Sequence, residues 1–467
     1  MKLLSIISRR KTVKGRSFPL RLNRLGGQIL SDSETFDIVV VGAGVIGVAT
    51  AYYLQKNNPD KRILILDRLP AAGQANTAMS AAAVRNMFAS STNQLLTHTS
   101  IKCIEHIQNE IGYELLFEKT GYLWLLSDDQ FNHESVQTWM KRMETSGIHY
   151  KVFNKEELKN MIPGLNVDFT NDEEAELMNL EEVSYGLFGG DCGVLDPTRL
   201  VEFYLEEFKK ISDVKPRFGV DVEELLLSAD PPLELPGEPY VWQNKLVTGV
   251  KTNKGVIHAE TVVIATGAWA NELLDPIGMN SQTKAKKRQM FVLHADEKEG
   301  LHKLLDSKGF NELNCIPFTI LPSAGVYFRP QLQERGFWIG CGDKLGRAYH
   351  YKHTPSFDVA ESSYYENSVY PVLSKYIPAF EGSRPVNSWG GGYNYSPDAI
   401  PFVYYENGVL VVNGASGSGI MKADAMARIA DALYRGEEEA ELFGGKKISS
   451  SALTIKDRDV EIESVVI

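Results

Sequence analysis

A strand, a glycine turn and a helix occupy residues 36–67, and this unit constrains the fold more than any other part of the chain. Residues 38–41 form a continuous apolar run, as is typical of a strand buried on both faces. Gly42, Gly44 and Gly47 follow as G-x-G-x-x-G, which allows a tight turn, close approach of the backbone to a pyrophosphate and close helix packing. Asp67 ends the second strand, twenty residues after Gly47, where its carboxylate can accept hydrogen bonds from a ribose. The unit predicts a dinucleotide site.

The helix predicted from residue 46 to about residue 56 begins at this turn. Its free N–H groups and the positive end of its dipole would therefore face the phosphates of a bound dinucleotide. The candidate cofactor-binding residues of this unit are Gly42, Gly44, Val45, Ile46, Gly47, Asp67 and Arg68.

Composition limits the class of protein. The chain has 467 residues, which is enough for two domains or more. The formal net charge of -11 argues against nucleic acid as a partner. The four cysteines are far apart in sequence and form no C-x-x-C, so we expect neither a disulfide framework nor a metal site. No apolar run reaches the roughly 18 residues of a membrane-spanning helix.

The first 35 residues differ from the rest, because residues 1–31 contain eight lysines or arginines and no acidic residue. Two interpretations stay open for this segment. We favour a disordered basic tail, which leaves a cytoplasmic location, either free or peripheral to a membrane. The alternative is a transit peptide, whose composition is also rich in arginine and poor in acids, and which would indicate a mitochondrial location.

Two later segments return to the same kind of strand and turn. Residues 260–271 predict a strand that enters an Ala-Thr-Gly turn at Thr266 and Gly267. Residues 408–413 predict a strand before a loop with Gly417 and Gly419, and a helix follows. The segments between these returns predict mostly antiparallel strands. The expected fold class is α/β (α+β overall), with a Rossmann-like nucleotide-binding domain and an interleaved antiparallel β-rich substrate domain.

The predicted domain boundaries follow from these returns. We assign the nucleotide-binding domain to residues 36–95, 185–215, 258–285 and 385–440, and the substrate domain to residues 96–184, 216–257 and 286–384. Residues 1–35 and 441–467 are expected to be tails. The basic run at residues 286–288 and the acidic run at residues 437–439 are expected on the solvated surface.

The three glycine turns resemble those of the D-amino-acid-oxidase-like FAD-dependent oxidoreductases, and the resemblance covers about residues 37–440. Residues 80–88 are similar to the family's S-x-G-G-x-R-x-x-F, and residues 393–401 are similar to its Y-x-x-x-P-D-x-x-P. Within the family the nearest resemblance is to archaeal dye-linked L-proline dehydrogenases, above all through SGSGIMK at residues 416–422. A weaker resemblance runs to mitochondrial oxidoreductases that assist complex I assembly, through residues 120–123 and 388–391.

The resemblance implies FAD as the cofactor and hydride transfer from a C–H next to an amine to flavin N5. Gly391 stands about where the monomeric sarcosine oxidases attach their flavin through a cysteine, so non-covalent FAD is expected. The implied partners are a small amino acid or secondary amine, with L-proline as the leading substrate, and an electron acceptor such as a quinone, a dye or oxygen. The oligomeric state stays open.

Three residues are candidates for catalysis. Arg329, on the strand with Tyr327, is the candidate clamp for a substrate carboxylate, because a guanidinium can bind both oxygens. Lys422 begins the last helix beside the third glycine turn, and Tyr393 is expected to line the substrate pocket. The further cofactor-binding candidates, carried over by the resemblance, are Ser80, Arg85, Thr266, Gly267, Gly417, Gly419, Ile420, Met421 and Lys422.

Two other hypotheses for the function stay open. The first is an oxidase or dehydrogenase of another amine or of a 2-hydroxy acid, of the sarcosine, glycine or D-amino-acid type. The second is a flavin-carrying assembly factor of a respiratory complex with little turnover, which a transit peptide would favour.

Overall fold

A computed structural model describes residues 34–295, 298–343, 345–458 and 460–465. The predicted basic tail, up to residue 33, lies outside the described residues. From Glu34 onward the chain forms one compact unit. The division of this unit into two domains therefore stays a prediction.

The strands are β1 (Glu34–Val41), β2 (Ile63–Asp67), β3 (Ala83–Val84), β4 (Tyr122–Leu126), β5 (Lys151–Asn154), β6 (Tyr185–Gly189), β7 (Gly193–Val194), β8 (Arg217–Phe218), β9 (Val222–Asp230), β10 (Asn244–Thr252), β11 (Gly255–Ile264), β12 (Lys284–His294), β13 (Phe318–Ile320), β14 (Val326–Gln331), β15 (Gly336–Cys341), β16 (Asn387–Tyr395), β17 (Phe402–Glu406), β18 (Val409–Asn413), β19 (Glu439–Glu441) and β20 (Lys447–Ser449). The helices are α1 (Val45–Asn57), α2 (Ser91–Asn109), α3 (Asp128–Asn132), α4 (Glu134–Thr145), α5 (Lys155–Met161), α6 (Glu173–Leu177), α7 (Pro197–Ile211), α8 (Ala270–Leu274), α9 (Glu299–Leu305), α10 (Ser362–Tyr364), α11 (Tyr370–Tyr376) and α12 (Ala423–Tyr434).

The first sheet carries the three predicted strand–turn units side by side. Its main order is β17-β18-β11-β1-β2-β8, and β1, β2, β8, β11 and β18 run parallel. Residues 38–41 of β1 are buried, because α1, α7 and α12 cover one face of the sheet and further apolar side chains cover the other. The carboxyl ends of β1, β11 and β18 therefore meet at one edge, which is where such sheets bind ligands.

The second sheet has the order β16-β12-β15-β14-β13-β4-β6-β5. It is antiparallel except for the parallel pair of β13 and β4. One face packs with α5, α9 and α11 around buried side chains such as Phe291, Phe328 and Phe337. The mixed α/β architecture that the sequence predicts is confirmed.

Several strands pair across the predicted domain boundaries. β9 and β10, which we placed in the substrate domain, extend the first sheet through the N-terminal half of β11. β6 and β16, which we placed in the nucleotide-binding domain, pair within the second sheet. The physical reason is that the pattern of apolar residues predicts a strand but does not identify the neighbouring strand with which its backbone forms hydrogen bonds.

The basic run at residues 286–288 is buried, and the expectation of a solvated surface was wrong for it. Lys286, Lys287 and Arg288 are 1%, 7% and 8% exposed, because β12 lies between β15 and β16. Lys287 forms an ion pair with Glu361 at 2.8 Å, and Arg288 forms one with Asp343 at 2.5 Å. The carboxylates of Glu361 and Asp343 therefore offset part of the desolvation cost of burying Lys287 and Arg288. The acidic run at residues 437–439 is exposed as predicted.

The segment after residue 441 is not a free tail over its described part. Glu463 is only 4% exposed, and its carboxylate accepts hydrogen bonds from the backbone N–H groups of Ala89 and Ser90 at 2.9 and 3.0 Å. These groups lie at the start of α2, where a carboxylate is favoured by the unpaired N–H groups of the helix. The end of the described chain therefore packs against its first half.

Candidate functional site

The first glycine turn has the geometry that its sequence predicts. Gly42 has a φ of +102°, and a Cβ there would lie 2.6 Å from the carbonyl oxygen of Ala265. A Cβ at Gly47 would lie 1.9 Å from the carbonyl oxygen of Gly42. Both positions therefore require glycine, because the turn, α1 and the end of β11 are in direct contact. α1 begins at Val45, so its N-terminus faces the edge of the sheet.

Asp67 lies at the end of β2, next to this turn. Its Oδ2 atom accepts a hydrogen bond of 2.7 Å from the backbone N–H of Ala43, and its Oδ1 atom accepts one of 2.8 Å from Leu69. These bonds fix the carboxylate, while each oxygen keeps a lone pair that a ribose hydroxyl can use. Arg68 follows and stacks on Trp269, with 4.5 Å between Cζ and the ring centroid.

The three turns line one cleft of about 220 Å³ at the edge of the first sheet, which we call the cofactor cleft. The predicted residues that line it are Gly42, Gly44, Val45, Ile46, Asp67, Arg68, Ser80, Thr266, Gly267, Gly417, Gly419, Ile420 and Tyr393. Gly47 lies behind the turn, where it lets α1 pack. Sequence segments that lie hundreds of residues apart thus build a single site.

The residues of the cofactor cleft fit FAD. The Oγ1 atom of Thr266 is buried and has no hydrogen-bond partner among the described residues, which leaves it to a ligand. The backbone at Gly42 and Gly44 leaves a cradle without side chains at the N-terminus of α1, as a pyrophosphate needs. Asp67 stands beside that cradle at the place where a ribose would follow.

A smaller cavity of about 60 Å³ adjoins the cofactor cleft, and we call it the inner cavity. Tyr122, Phe318 and Tyr327 of the second sheet form one wall, and the third glycine turn forms another. Tyr122 stacks on Phe318 with 4.2 Å between ring centroids, and Phe318 stacks on Tyr327 at 5.1 Å. Burial raises the pKa of Tyr122, Tyr327 and Tyr393 above the ordinary value, so their hydroxyls stay neutral at physiological pH.

Arg85 is the one charged residue among the described residues that line the inner cavity. It is 4% exposed, and its Cζ atom lies 3.8 Å from the centroid of the Phe88 ring. Its guanidinium donates hydrogen bonds to the carbonyl oxygens of Met87 and, at 2.5 Å, Val465. Burial lowers the pKa of Arg85, but an arginine remains a cation in proteins.

The structure separates two of the other candidates, Lys422 and Arg329, from this cavity. Lys422 is fully buried, and its Nζ atom lies 5.0 Å from the Phe88 ring without a hydrogen-bond partner among the described residues. Arg329 is 2% exposed and stacks on Trp338. Neither residue is among those that line the inner cavity or the cofactor cleft. Met421 lines the inner cavity, and Tyr393 lines both.

Some residues of the site were missed by the sequence analysis. Thr77 accepts a hydrogen bond of 3.2 Å from the N–H of Val45, and Asn76 accepts one of 2.9 Å from Gly392. Both lie in the cofactor cleft, and the run of small residues at 71–88 was the signal for them. Tyr122 and Tyr327 had no such signal, because an aromatic residue on a strand is more often part of the core.

The family can be stated from a comparison with known proteins. A model of FAD dependent oxidoreductases, the DAO family, matches residues 37–433. The chain belongs to this family. The chain is similar to FAD-dependent oxidoreductase domain-containing protein 1 of Xenopus laevis, with 22% identity over 431 residues, covering 85% of this chain and 78% of that protein. Glycine oxidase of Pseudomonas aeruginosa is 24% identical over 411 residues, covering 86% of this chain and 95% of that enzyme.

Solved structures confirm the fold of this FAD-dependent oxidoreductase. L-proline dehydrogenase from P. horikoshii superposes with a TM-score of 0.68 at 23% identity, covering 87% of this chain and 95% of that one. Glycine oxidase from Geobacillus kaustophilus gives a TM-score of 0.65 at 18% identity, covering 87% and 96%. Among the described residues, no helix is both long enough and apolar enough to cross a membrane.

Proposed function

We propose that the protein is a dehydrogenase or oxidase of a small amino acid or secondary amine, with L-proline as the leading substrate and non-covalently bound FAD as its cofactor. One observation carries the proposal: the inner cavity and the cofactor cleft share a wall. The residues of this wall are Ser80, Tyr393, Ser416, Gly417 and Ile420. A molecule in the inner cavity would therefore lie against the cofactor, which when bound accepts a hydride from the carbon next to the amine.

The lining of the inner cavity supports an amino acid as the substrate. Arg85 lines this cavity and supplies a cation that can pair with a carboxylate, and the ring faces of Tyr122 and Phe318 suit an aliphatic ring such as that of proline. The small volume, about 60 Å³, favours a small substrate. Similarity to glycine oxidase in sequence and to L-proline dehydrogenase in fold agrees with this class of substrate.

Among the described residues that line the inner cavity, none has a side chain that acts as a base at neutral pH. The hydroxyls of Tyr122, Tyr327 and Tyr393 stay protonated, so they can donate hydrogen bonds but do not remove a proton. The substrate must therefore lose its ammonium proton to water before it reacts. In consequence, kcat/KM should rise with pH until the free amine dominates.

An anaerobic screen of holoenzyme tests the proposal. L-proline, D-proline, sarcosine, glycine and a 2-hydroxy acid are mixed with the protein, and loss of the oxidised flavin absorbance is recorded. Bleaching by an amino acid but not by the hydroxy acid is the expected result. Bleaching by the hydroxy acid alone would mean that the substrate is an alcohol and not an amine. No bleaching by any compound would favour a flavin-carrying protein with little turnover.

A further inference from the structure

A third cavity, much larger than the inner cavity, lies on the other side of Arg85 from the inner cavity, and we call it the outer cleft. Its volume is about 980 Å³, which is in the range of sites that hold drug-sized molecules. α3, α4 and β4 supply much of its lining. Trp124, Val136 and Trp139 line it together with Ile320 and Leu321, so part of its surface is aromatic and aliphatic.

The outer cleft is separated from the inner cavity by one layer of side chains. Arg85 lines the inner cavity, and its Cζ atom lies 5.5 Å from the ring centroid of Trp124. Trp124 lines the outer cleft and packs edge-on against Trp139 at 5.4 Å. Val465, which accepts the hydrogen bond from Arg85, also lines the outer cleft. A ligand in the outer cleft would therefore lie close to the redox site without entering it.

Two unpaired donors indicate what the outer cleft can hold. The Nε1 atoms of Trp124 and Trp139 are buried and have no hydrogen-bond partner among the described residues. Trp139 is only 2% exposed, and a buried donor without a partner is unfavourable. A ligand with a carbonyl oxygen can satisfy such a donor after a small rotation of the indole, while its ring packs on the apolar wall.

The rim of the outer cleft restricts the charge of the ligand. Four exposed carboxylates line it, from Asp128, Asp129, Glu181 and Glu182. An anion would be repelled there, and the repulsion would be reduced by salt. The outer cleft is therefore poorly suited to the carboxylate of an amino acid, and it suits a neutral planar molecule with carbonyl groups.

We infer that the outer cleft binds the electron acceptor, and that this acceptor is a neutral quinone. The inference rests on the redox function proposed above but not on the identity of the amine. In each turnover the quinone would gain the two electrons of the reduced cofactor, the proton that the cofactor loses on reoxidation and one proton from water, and it would leave as a hydroquinone. Since the amine and the quinone have separate sites, the two can be bound at the same time.

Calorimetric titration of oxidised holoenzyme with duroquinone, a neutral quinone, tests the inference directly. Val136→Trp should place a larger side chain in the outer cleft and weaken binding roughly 10-fold, because part of the apolar wall is then closed to the quinone. Trp139→Phe keeps an aromatic ring but removes the N–H group, and it should weaken binding roughly 3- to 10-fold. Trp338→Phe is the matched control, because its Nε1 atom is also buried without a partner but lies outside the outer cleft.

A second measurement separates this inference from the proposed function. Holoenzyme reduced with dithionite is mixed with duroquinone, and flavin absorbance is followed as it returns, with no amine present. Reoxidation should saturate with quinone, Val136→Trp should require more quinone, and a sulfonated naphthoquinone should react poorly at low salt and better at high salt. Normal reoxidation without bleaching by any amine would overturn only the proposed substrate. Equal affinity of Val136→Trp and the natural protein for duroquinone, or no saturable binding, would overturn the acceptor site.

Discussion

The guanidinium of Arg329 stacks on the indole of Trp338, with 3.9 Å between Cζ and the ring centroid. The two residues face each other across the pair of β14 and β15. This stack lies outside the residues that line the inner cavity, whereas Arg85 is one of them. The position of the two arginines therefore favours Arg85 as the partner of a substrate carboxylate, although Arg329 was the first candidate from the sequence.

Arg85→Met should lower kcat/KM for an amino acid, because a desolvated carboxylate would lose its cationic partner at a cost of about 2–5 kcal/mol. Steady-state kinetics with the free acid and with its methyl ester measure the effect, and the ester should lose its disadvantage in the variant. Arg329→Met is the matched control, since it also removes a buried arginine, and it should leave KM unchanged. The reverse pattern would make Arg329 the carboxylate clamp, as the sequence first predicted.

Asp67→Ala should weaken FAD binding by about 1–3 kcal/mol, because a half-buried acceptor for the ribose is lost. Fluorescence titration of apoprotein with FAD gives the two dissociation constants. Asp37→Ala is a suitable control, because Asp37 is at the other end of the same parallel strands, where it forms an ion pair with Lys61 at 3.0 Å. Equal affinities of Asp67→Ala and the natural protein would mean that Asp67 does not bind the ribose.

Gly47→Ala should abolish FAD loading, because its Cβ would lie 1.9 Å from the carbonyl oxygen of Gly42 and would force α1 away from the turn. The ratio of flavin to protein absorbance after purification reports the loss. Gly190→Ala provides the comparison, since a Cβ there meets only ordinary contacts with Phe188, at 3.5 Å or more. A Gly47→Ala protein that binds FAD normally would show that this helix packing is not needed for the site.

Stability should depend on pH through Lys422. Burial lowers the pKa of Lys422 to about 7, whereas an unfolded lysine titrates near 10.4. Between these values the unfolded chain binds more protons than the folded one, so this residue makes stability rise with pH, by at most about 1.4 kcal/mol per unit. Below the folded pKa the native protein carries the full cost of a buried cation.

Lys422→Met should therefore stabilise the protein most at about pH 6–7, and the gain should shrink towards zero near pH 10. Urea denaturation of both proteins across this range measures the difference in the free energy of unfolding. Lys308→Met offers a control, because it makes the same substitution at an exposed lysine instead of a buried one. A constant difference for Lys422→Met would mean that Lys422 keeps an ordinary pKa in the folded protein.

Acid precipitation of the holoprotein should leave FAD in the supernatant, as non-covalent binding requires. Gly391 supplies no side chain for attachment, and a Cβ there would already lie 3.4 Å from Asn76 Oδ1 and Met79 Cβ. Absorbance of the supernatant and of the redissolved pellet gives the two fractions. Yellow colour that remains with the pellet would show a covalent bond to another residue.

The sequence predicted the cofactor cleft better than the inner cavity, for a physical reason. Glycine turns can be predicted from sequence because a Cβ at Gly42 or Gly47 would clash with backbone atoms, so only glycine fits there. The strand before the turn and the helix after it make the pattern specific. Tyr122 and Tyr327 carry no local sign of their role, because only the pairing of the second sheet brings them together. The same holds for Lys286, whose burial depends on where β15 and β16 lie.

The first sheet brings together strands that are synthesised at very different times. β1 and the first glycine turn are made early, but β11, which pairs with β1, and β18, which pairs with β11, are made much later. Glu463, which caps α2, is also made late. Contacts of such large separation in sequence form late and slowly. The cofactor cleft can therefore be complete only after β18 and the third glycine turn have been made, so we expect the cofactor to bind late in folding.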